Sequence, residues 1–204
     1  MDRELAMTFD GNELMNEAFE EYDLCINHPQ SYQQKVDSIS NLFRLKGKDR
    51  LMGDNCPAYA IGKYDTTPIM IFGINPGYSK IRNPKEDYEA RISWRNYLSF
   101  CKNFFLYFEQ NKFESPYYKA LYYLISGLAG QERYSLDDKW KLFDSYISNL
   151  ELIPYHSAGM TLPSKFNPPQ LDYISQRFQN TLRFAKKYKP NLFFFNGNTW
   201  YVLL

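Results

Sequence analysis

Three short polar segments of the sequence carry residue types that can bind a ligand or activate a water. The first runs from Gly73 to Ser79 (GINPGYS) and directly follows an apolar run. Its glycines and proline permit a sharp turn whose backbone can approach a ligand closely. Asn75 would lie at the tip of the preceding strand, where its amide can hold a water or a sugar. Ordinary turns use the same residue types, so this segment by itself leaves a plain turn and a binding loop both open.

The second segment runs from Glu151 to Gly159 (ELIPYHSAG) and holds two titratable groups within six residues. Glu151 falls inside an apolar stretch, where a charge is costly unless it is paired. His156 is one of only two histidines and lies just past the end of that stretch. Such a pair indicates a site, and the alternative is a salt-bridged glutamate beside a structural histidine. The third segment, 196–200 (NGNTW), is more typical of a turn than of a binding site.

Strands and helices alternate in the order that must position these segments. Apolar runs predict strands at residues 57–63, 68–73, 149–153 and 192–195. A turn at 64–67 joins the first two strands. Apolar spacings of three and four, with capping signals, predict helices at 11–27, 31–46, 94–108, 115–127, 135–146 and from 168 onwards. The last of these helices would bury Leu171, Ile174, Phe178, Leu182 and Ala185, and one more helix would follow residue 198.

This alternation predicts an α/β fold of three layers, α/β/α, with a central parallel sheet and a helical N-terminal cap. The strands at 149–153 and 192–195 would both be central. Ligands in such sheets bind at the carboxyl ends of the strands. All three polar segments lie at such ends, so we expect them to meet.

The composition fits one intracellular domain. The chain has 204 residues, of which 44% are hydrophobic and 23% charged, as is typical of a globular domain with one substantial core. No apolar run is long enough to span a membrane, and the N-terminus does not resemble a secretory signal. The three cysteines are scattered, which favours a reduced cytoplasmic protein with no structural metal and no cofactor. The net charge is +1, so only local clusters of lysine and arginine, at 80–95 and 177–189, could attract a nucleic acid.

Taken together, the three segments resemble the uracil-DNA glycosylase superfamily. GINPG at 73–77, directly after a strand, looks like the first catalytic motif of the branch that hydrolyses mismatched uracil and thymine. Residues 149–157 resemble the second strand of the superfamily, with Pro154 placed as in the single-strand-selective branch. Residues 192–197 resemble its third strand and glycine turn.

The resemblance covers residues 57–204 in order. It would make residues 1–204 a single domain, with a helical N-terminal segment at 1–56 and an α/β core at 57–204. It implies an enzyme that hydrolyses the N-glycosidic bond of a base flipped out of DNA, acting as a monomer without a membrane, a metal or a cofactor.

The resemblance also implies roles for individual residues. Asn75 would position the attacking water, and His156 would either donate towards the leaving base or contact a phosphate. Glu151 would replace the asparagine with which the family reads the base. The wall of the base pocket would be formed by Gly73, Ile74, Pro76, Gly77 and Tyr78, and the DNA would be contacted by Ser79, Lys80, Ser157 and Asn198.

Two departures from the family pattern alter these expectations. The final family motif, a Pro-Ser loop that clamps DNA and stabilises the leaving base, should follow the third strand's helix, but the sequence stops at Leu204 before it and before a fourth strand. We expect either that the chain is truncated, which its apolar ending favours, or that the protein works without that motif.

The second departure is Glu151, because a carboxylate prefers amino donors such as cytosine N4. This favours a cytosine-like or modified base over plain uracil. A role in defence against phages that carry modified cytosines would fit what related glycosylases imply, and a role in DNA repair is the alternative.

Two other functions fit the same residues. One is a non-catalytic module on the same fold that binds nucleic acids or nucleotides. The other is an unrelated small-molecule hydrolase with an Asn–His site, which would have no affinity for DNA even at low salt, whereas a glycosylase would bind DNA in a salt-dependent way. A fold cannot decide between them, because function lies in the site.

Overall fold

The computed structural model describes residues 12–78, 88, 90–128 and 138–196, which form a mixed α/β fold. The seven α-helices of these residues are α1 (Glu13–Asn27), α2 (Pro29–Leu42), α3 (Trp94–Lys102), α4 (Phe104–Gln110), α5 (Pro116–Leu128), α6 (Lys139–Tyr146) and α7 (Pro168–Tyr188). The four strands are β1 (Ala60–Gly62), β2 (Ile69–Gly73), β3 (Ile147–Glu151) and β4 (Leu192–Phe195). The helix expected after residue 198 lies outside the described residues.

The strands form one sheet in the order β1-β3-β2-β4. β3 and β4 flank β2 and run parallel to it, as the buried apolar run of β2 indicates. β1 pairs antiparallel with β3, so the sheet is mixed, and the prediction of a parallel sheet is wrong for this strand. The reason lies in the short turn at 64–66, which reverses the chain after β1, whereas a parallel connection needs a long crossover.

Two strands differ in position from their predictions. β3 ends at Glu151, which pairs with Gly73 at the end of β2, so the glutamate is at the tip of the strand rather than in its interior. β4 lies at the edge of the described sheet, where it pairs only with β2, and the prediction of a central strand is wrong within that part of the chain. Leu192 and Phe193 are 38% and 36% exposed, so the described elements do not fully cover the faces of this strand.

The long helix predicted from Trp94 to Phe108 is divided into α3 and α4. The break is at Asn103, whose side-chain amide donates to the carbonyl oxygen of Ser99 at 2.9 Å and whose backbone leaves the helical range at φ −100° and ψ 19°. Asparagine favours such a break because its side chain competes for backbone hydrogen bonds. The apolar stripe nevertheless stays buried across both helices.

Helix α7 begins at the predicted residue, but the face of the helix that is buried differs from the predicted face. The side chain of Asn167 accepts from the backbone N–H of Gln170 at 3.0 Å, and the Gln170 side chain accepts in return from the N–H of Asn167. This capping box fixes the start of the helix. Arg177 is buried on the inner face, where its Nε donates to the carbonyl oxygen of Leu152 at 3.1 Å. The inner face is therefore rotated, and Leu171 is 45% exposed.

Of the helices in the described part of the chain, none is long and apolar enough to cross a membrane.

Candidate functional site

The loops that leave β2 and β3 are joined by backbone hydrogen bonds. The N–H of Ile153 donates to the carbonyl oxygen of Ile74 at 2.8 Å. Four residues further along, the N–H of Tyr78 donates to the carbonyl oxygen of Ser157, also at 2.8 Å. The first two polar segments therefore continue side by side beyond the sheet and form one rigid wall.

The third segment reaches the same edge of the sheet. The N–H of Asn196 donates to the carbonyl oxygen of Phe72 at 2.9 Å, which holds the residue after β4 beside the end of β2. The carboxyl ends of all three parallel strands thus meet, as the sequence predicts.

A cavity of about 370 Å³ opens at this edge. It is bounded by the loop after β2, by the ends of β3 and β4, and by side chains of α4 and α5. Its lining comprises Ala58, Ile61, Gly73, Ile74, Asn75, Pro76, Gly77, Phe104, Ser115, Tyr117, Tyr118, Glu151, His156, Met160 and Asn196. The volume is in the range of small-ligand pockets, and the aromatic and apolar walls suit a planar ring.

Asn75 is held in one orientation by three acceptors. Its Nδ2 lies 3.0 Å from the carbonyl oxygen of Pro76, 3.3 Å from that of Tyr155 and 2.8 Å from Oγ of Ser157. Carbonyl oxygens only accept, so the nitrogen of the amide must face them. The amide oxygen is therefore the atom of Asn75 that remains for a water or ligand in the cavity.

Ser157 supports this arrangement from within the protein. Its hydroxyl accepts from Asn75 and donates to the carbonyl oxygen of Gly159 at 3.0 Å. Its side chain is only 1% exposed, so both capacities of the hydroxyl are used inside the fold. The geometry gives Ser157 the task of orienting Asn75, and the predicted contact with DNA has no exposed hydroxyl to make it.

Glu151 is buried at the tip of β3 and faces the cavity. It is 6% exposed, its Oε1 accepts from Nδ2 of Asn149, and its Oε2 has no hydrogen-bond partner among the described residues. Burial raises the pKa of Glu151 to about 8, against the smaller lowering by the Asn149 hydrogen bond. A carboxyl in this state is largely neutral at pH 7, so it can donate as well as accept a hydrogen bond.

The absence of a side chain at Gly73 makes room for this carboxyl group. A methyl group on Gly73 would approach Cδ of Glu151 to 2.8 Å and Oε1 to 2.9 Å, which is closer than such carbons come in proteins. Gly77, four residues later, has nothing within 4 Å of the same position. The two glycines of the segment therefore have different functions, and only Gly73 is required by packing.

His156 is tied to the first loop through its ring. It is 8% exposed, and its Nδ1 lies 3.2 Å from the carbonyl oxygen of Gly77. The carbonyl can only accept, so Nδ1 carries the hydrogen and, in the neutral ring, Nε2 is an acceptor. Both roles predicted for His156, donation to a leaving base and contact with a phosphate, hence require the imidazolium form.

The N-terminal helices support the second loop from behind. The hydroxyl of Tyr155 donates to Oε1 of Glu21 on α1 at 2.9 Å, and Nζ of Lys35 on α2 lies 2.7 Å from the same oxygen. The carbonyl oxygen of Tyr155 is one of the three acceptors of Asn75. The helical cap therefore helps to position the site.

Sequence analysis did not identify several residues of the cavity. Tyr117 and Tyr118 follow the predicted helix start at Ser115, but spacing along a helix does not distinguish an aromatic residue that lines a cavity from one that lies in the core. Burial, and next the nearby carboxyl of Glu151, raise the pKa of Tyr117, so its phenol is neutral. Asn149 could have been found, because residues two apart on a strand point to the same face.

Of the remaining predicted residues, one lies outside the cavity lining and three lie outside the described part of the chain. Tyr78 is half-buried and does not line the cavity. Ser79, Lys80 and Asn198 lie outside the described residues. The described part of the chain contains no group of three His, Cys, Asp or Glu side chains that could hold a metal ion.

The basic cluster of α7 lies away from the cavity. α7 ends at Tyr188 and β4 begins at Leu192, so Lys186 and Lys187 in the last turn of the helix are near the amino end of β4, while the cavity is at its carboxyl end. These charges favourably oppose the helix dipole.

Neither family models, nor curated protein sequences, nor solved structures yield a match to this chain. The case for a function therefore rests on the geometry of the cavity and on the resemblance of its motifs.

Proposed function

We propose that this protein is a DNA glycosylase that hydrolyses the N-glycosidic bond of a base flipped into the cavity. One observation carries the proposal: the amide of Asn75 is locked with its oxygen left for the cavity, at the meeting point of three strand ends. An amide held in this way can fix a water beside the sugar of a nucleotide. It matches the role that the resemblance implies for Asn75.

The walls of the cavity support a base as the ligand. Phe104, Tyr117 and Tyr118 provide aromatic surfaces, on which a base can stack with a gain of about 1–3 kcal/mol per base. A base within a duplex cannot reach such a cavity, so the nucleotide has to be extruded first.

Asn75 is too weak a base to take a proton from water, so the mechanism has to make the sugar electrophilic. Cleavage of an N-glycosidic bond proceeds through an oxocarbenium-like sugar. Negative potential near the sugar and neutralisation of the negative charge on the base both stabilise its transition state. The amide oxygen of Asn75 carries partial negative charge and can orient the water and stabilise the cationic sugar at once. General-base catalysis is then of secondary importance.

The polar group that faces the base is Glu151. A carboxyl group accepts from the amino group of cytosine, so a cytosine-type base, including the modified cytosines of phage DNA, fits it better than plain uracil. The same proposal includes a role in defence against such phages. It also includes a three-layer arrangement of helices around the sheet, a cytoplasmic location and a monomeric state.

A single-turnover base-release assay tests the proposal. Oligonucleotides that contain uracil, mismatched thymine, cytosine, hydroxymethylcytosine or glucosylated hydroxymethylcytosine are incubated with excess protein, and alkali then cleaves the abasic sites. We expect abasic sites with at least one cytosine-type substrate and a loss of about 100-fold or more in Asn75→Ala. Salt-dependent DNA binding without base release would instead favour a non-catalytic binding module on this fold.

A further inference from the structure

The two oxygens of the Glu151 carboxyl group have different surroundings. Oε1 accepts from Nδ2 of Asn149, which leaves Oε2 as the oxygen that carries the proton of the neutral acid. Oε2 is buried and has no partner among the described residues. Because Glu151 lines the cavity, its O–H is a single donor in the cavity wall, beside Gly73.

The surroundings of Glu151 favour the neutral acid. Among the described residues, the lining of the cavity holds no lysine or arginine, and the titratable groups that line it from other elements are Tyr117 and Tyr118 on α5 and His156 beyond β3. Burial raises the pKa of Glu151 to about 8, whereas a cation nearby would lower it. A buried unpaired acid of this kind at a cavity is more typical of a functional site than of a core.

A cytosine-type base needs such a proton more than uracil does. When the C1′–N1 bond breaks, its electron pair stays on the base. Uracil spreads this charge over two carbonyl groups, whereas cytosine has one carbonyl and a ring nitrogen, N3, that is a better proton acceptor. Proton transfer to N3 therefore gives the larger gain for cytosine.

We infer that Glu151 is the general acid of the reaction and donates the Oε2 proton to the ring of the departing base. This inference rests on the proposed glycosylase function and specifies its leaving-group step. The O–H bond of Glu151 breaks as an N–H bond forms at N3, the pair from C1′–N1 stays on the base, and the water held by Asn75 adds to C1′. The water gives up a proton, which restores the acid form of Glu151.

Glu151→Gln is a close test of proton transfer. The oxygen of the glutamine amide can accept from Asn149, and its NH₂ group can face the cavity as a donor, so the hydrogen bond to the base is kept and only the transferable proton is lost. Glu20→Gln is the matched control, because Glu20 is exposed on α1.

The experiment measures single-turnover base release from oligonucleotides that carry 5-methylcytosine, 5-hydroxymethylcytosine or 5-fluorocytosine. Fluorine withdraws electrons and stabilises the departing base, so the demand for an acid is lowest there. We expect Glu151→Gln to lose about 100-fold or more on the first two substrates and less than about tenfold on 5-fluorocytosine. DNA binding should change by less than about threefold, and Glu20→Gln should match the wild type throughout.

The pH profile supplies a second readout. Wild-type release should fall above about pH 8, while the profile of Glu151→Gln should stay flat in this range. Carbon-13 NMR of the Glu151 carboxyl group, which needs no activity, should show titration between about pH 7 and 9.

The possible failures are distinct. An equal loss on all three substrates, or no loss, would overturn the role of general acid while the glycosylase function stands. Release of uracil but of no cytosine-type base by the wild type would overturn the choice of base and leave the glycosylase. Release of no base at all by the wild type would overturn both proposals.

Discussion

The buried carboxyl of Glu151 should make the stability of the protein depend on pH in a defined direction. In the folded protein the pKa of this group is about 8, against an ordinary value of 4.5. Between these two values the folded state binds a proton that the unfolded state has lost. The free energy of unfolding therefore falls as pH rises from about 4.5 to about 8. Above about pH 8 this group causes no further fall.

The size of the effect follows from the two pKa values. The difference of about 3.5 pH units, at roughly 1.4 kcal/mol for each unit, corresponds to about 5 kcal/mol above pH 8 and about 3 kcal/mol at pH 7. This is a large part of the 5–15 kcal/mol that is typical of a whole domain. Glu151→Gln removes the charge and keeps the shape, so the variant should be more stable than the wild type at high pH and close to it at pH 5.

Urea denaturation at pH 5 and pH 9, followed by circular dichroism, measures this difference. All other titrating groups are shared by the two proteins, so their contributions cancel when the variant is compared with the wild type at each pH. We expect the advantage of Glu151→Gln to grow by several kcal/mol from pH 5 to pH 9, and Glu20→Gln to show no such growth. An advantage that stays the same at both pH values would refute the assignment of a buried neutral carboxyl.

Three further predictions concern the same site. Gly73→Ala should destabilise the protein by about 1–3 kcal/mol and reduce base release, because the added methyl group meets the carboxyl of Glu151, whereas Gly77→Ala, with open space at the same position, should leave the thermal melt unchanged. Ser157→Ala removes one of the three acceptors of Asn75 and should slow base release about fivefold, as the loss of a net 1 kcal/mol or so predicts, with DNA affinity unaltered in a titration. Binding of an oligonucleotide should weaken at least about tenfold between roughly 50 and 200 mM salt if several phosphates are contacted, and an affinity that is independent of salt would favour a small-molecule hydrolase instead.

Local sequence patterns were sufficient to predict much of the fold. The apolar run before Gly73 predicts a covered strand, and the pair Asn167-Pro168 predicts the start of α7, because strand burial and helix capping depend on neighbours in the chain. The meeting of the three polar segments follows from the rule that parallel strands end at one edge. These predictions agree with the structure.

Features that depend on distant contacts could not be predicted in this way. The pairing of β1 with β3, rather than with β2, joins residues that are more than eighty positions apart. The orientation of Asn75 depends on Ser157, and the neutral state of Glu151 depends on burial by α5 and the other strands. Sequence therefore indicated which segments meet at the cavity, while the hydrogen bonds and protonation of their side chains had to come from the structure.

The most direct test of the central claim is to detect the released base itself. A single-turnover reaction with a hydroxymethylcytosine oligonucleotide is analysed by mass spectrometry for the free base and, in parallel, for abasic DNA. We expect equal amounts of the two products with the wild type and neither product with Asn75→Ala. Stoichiometric DNA binding without a free base from any substrate, or release that is unchanged in Asn75→Ala, would contradict the claim.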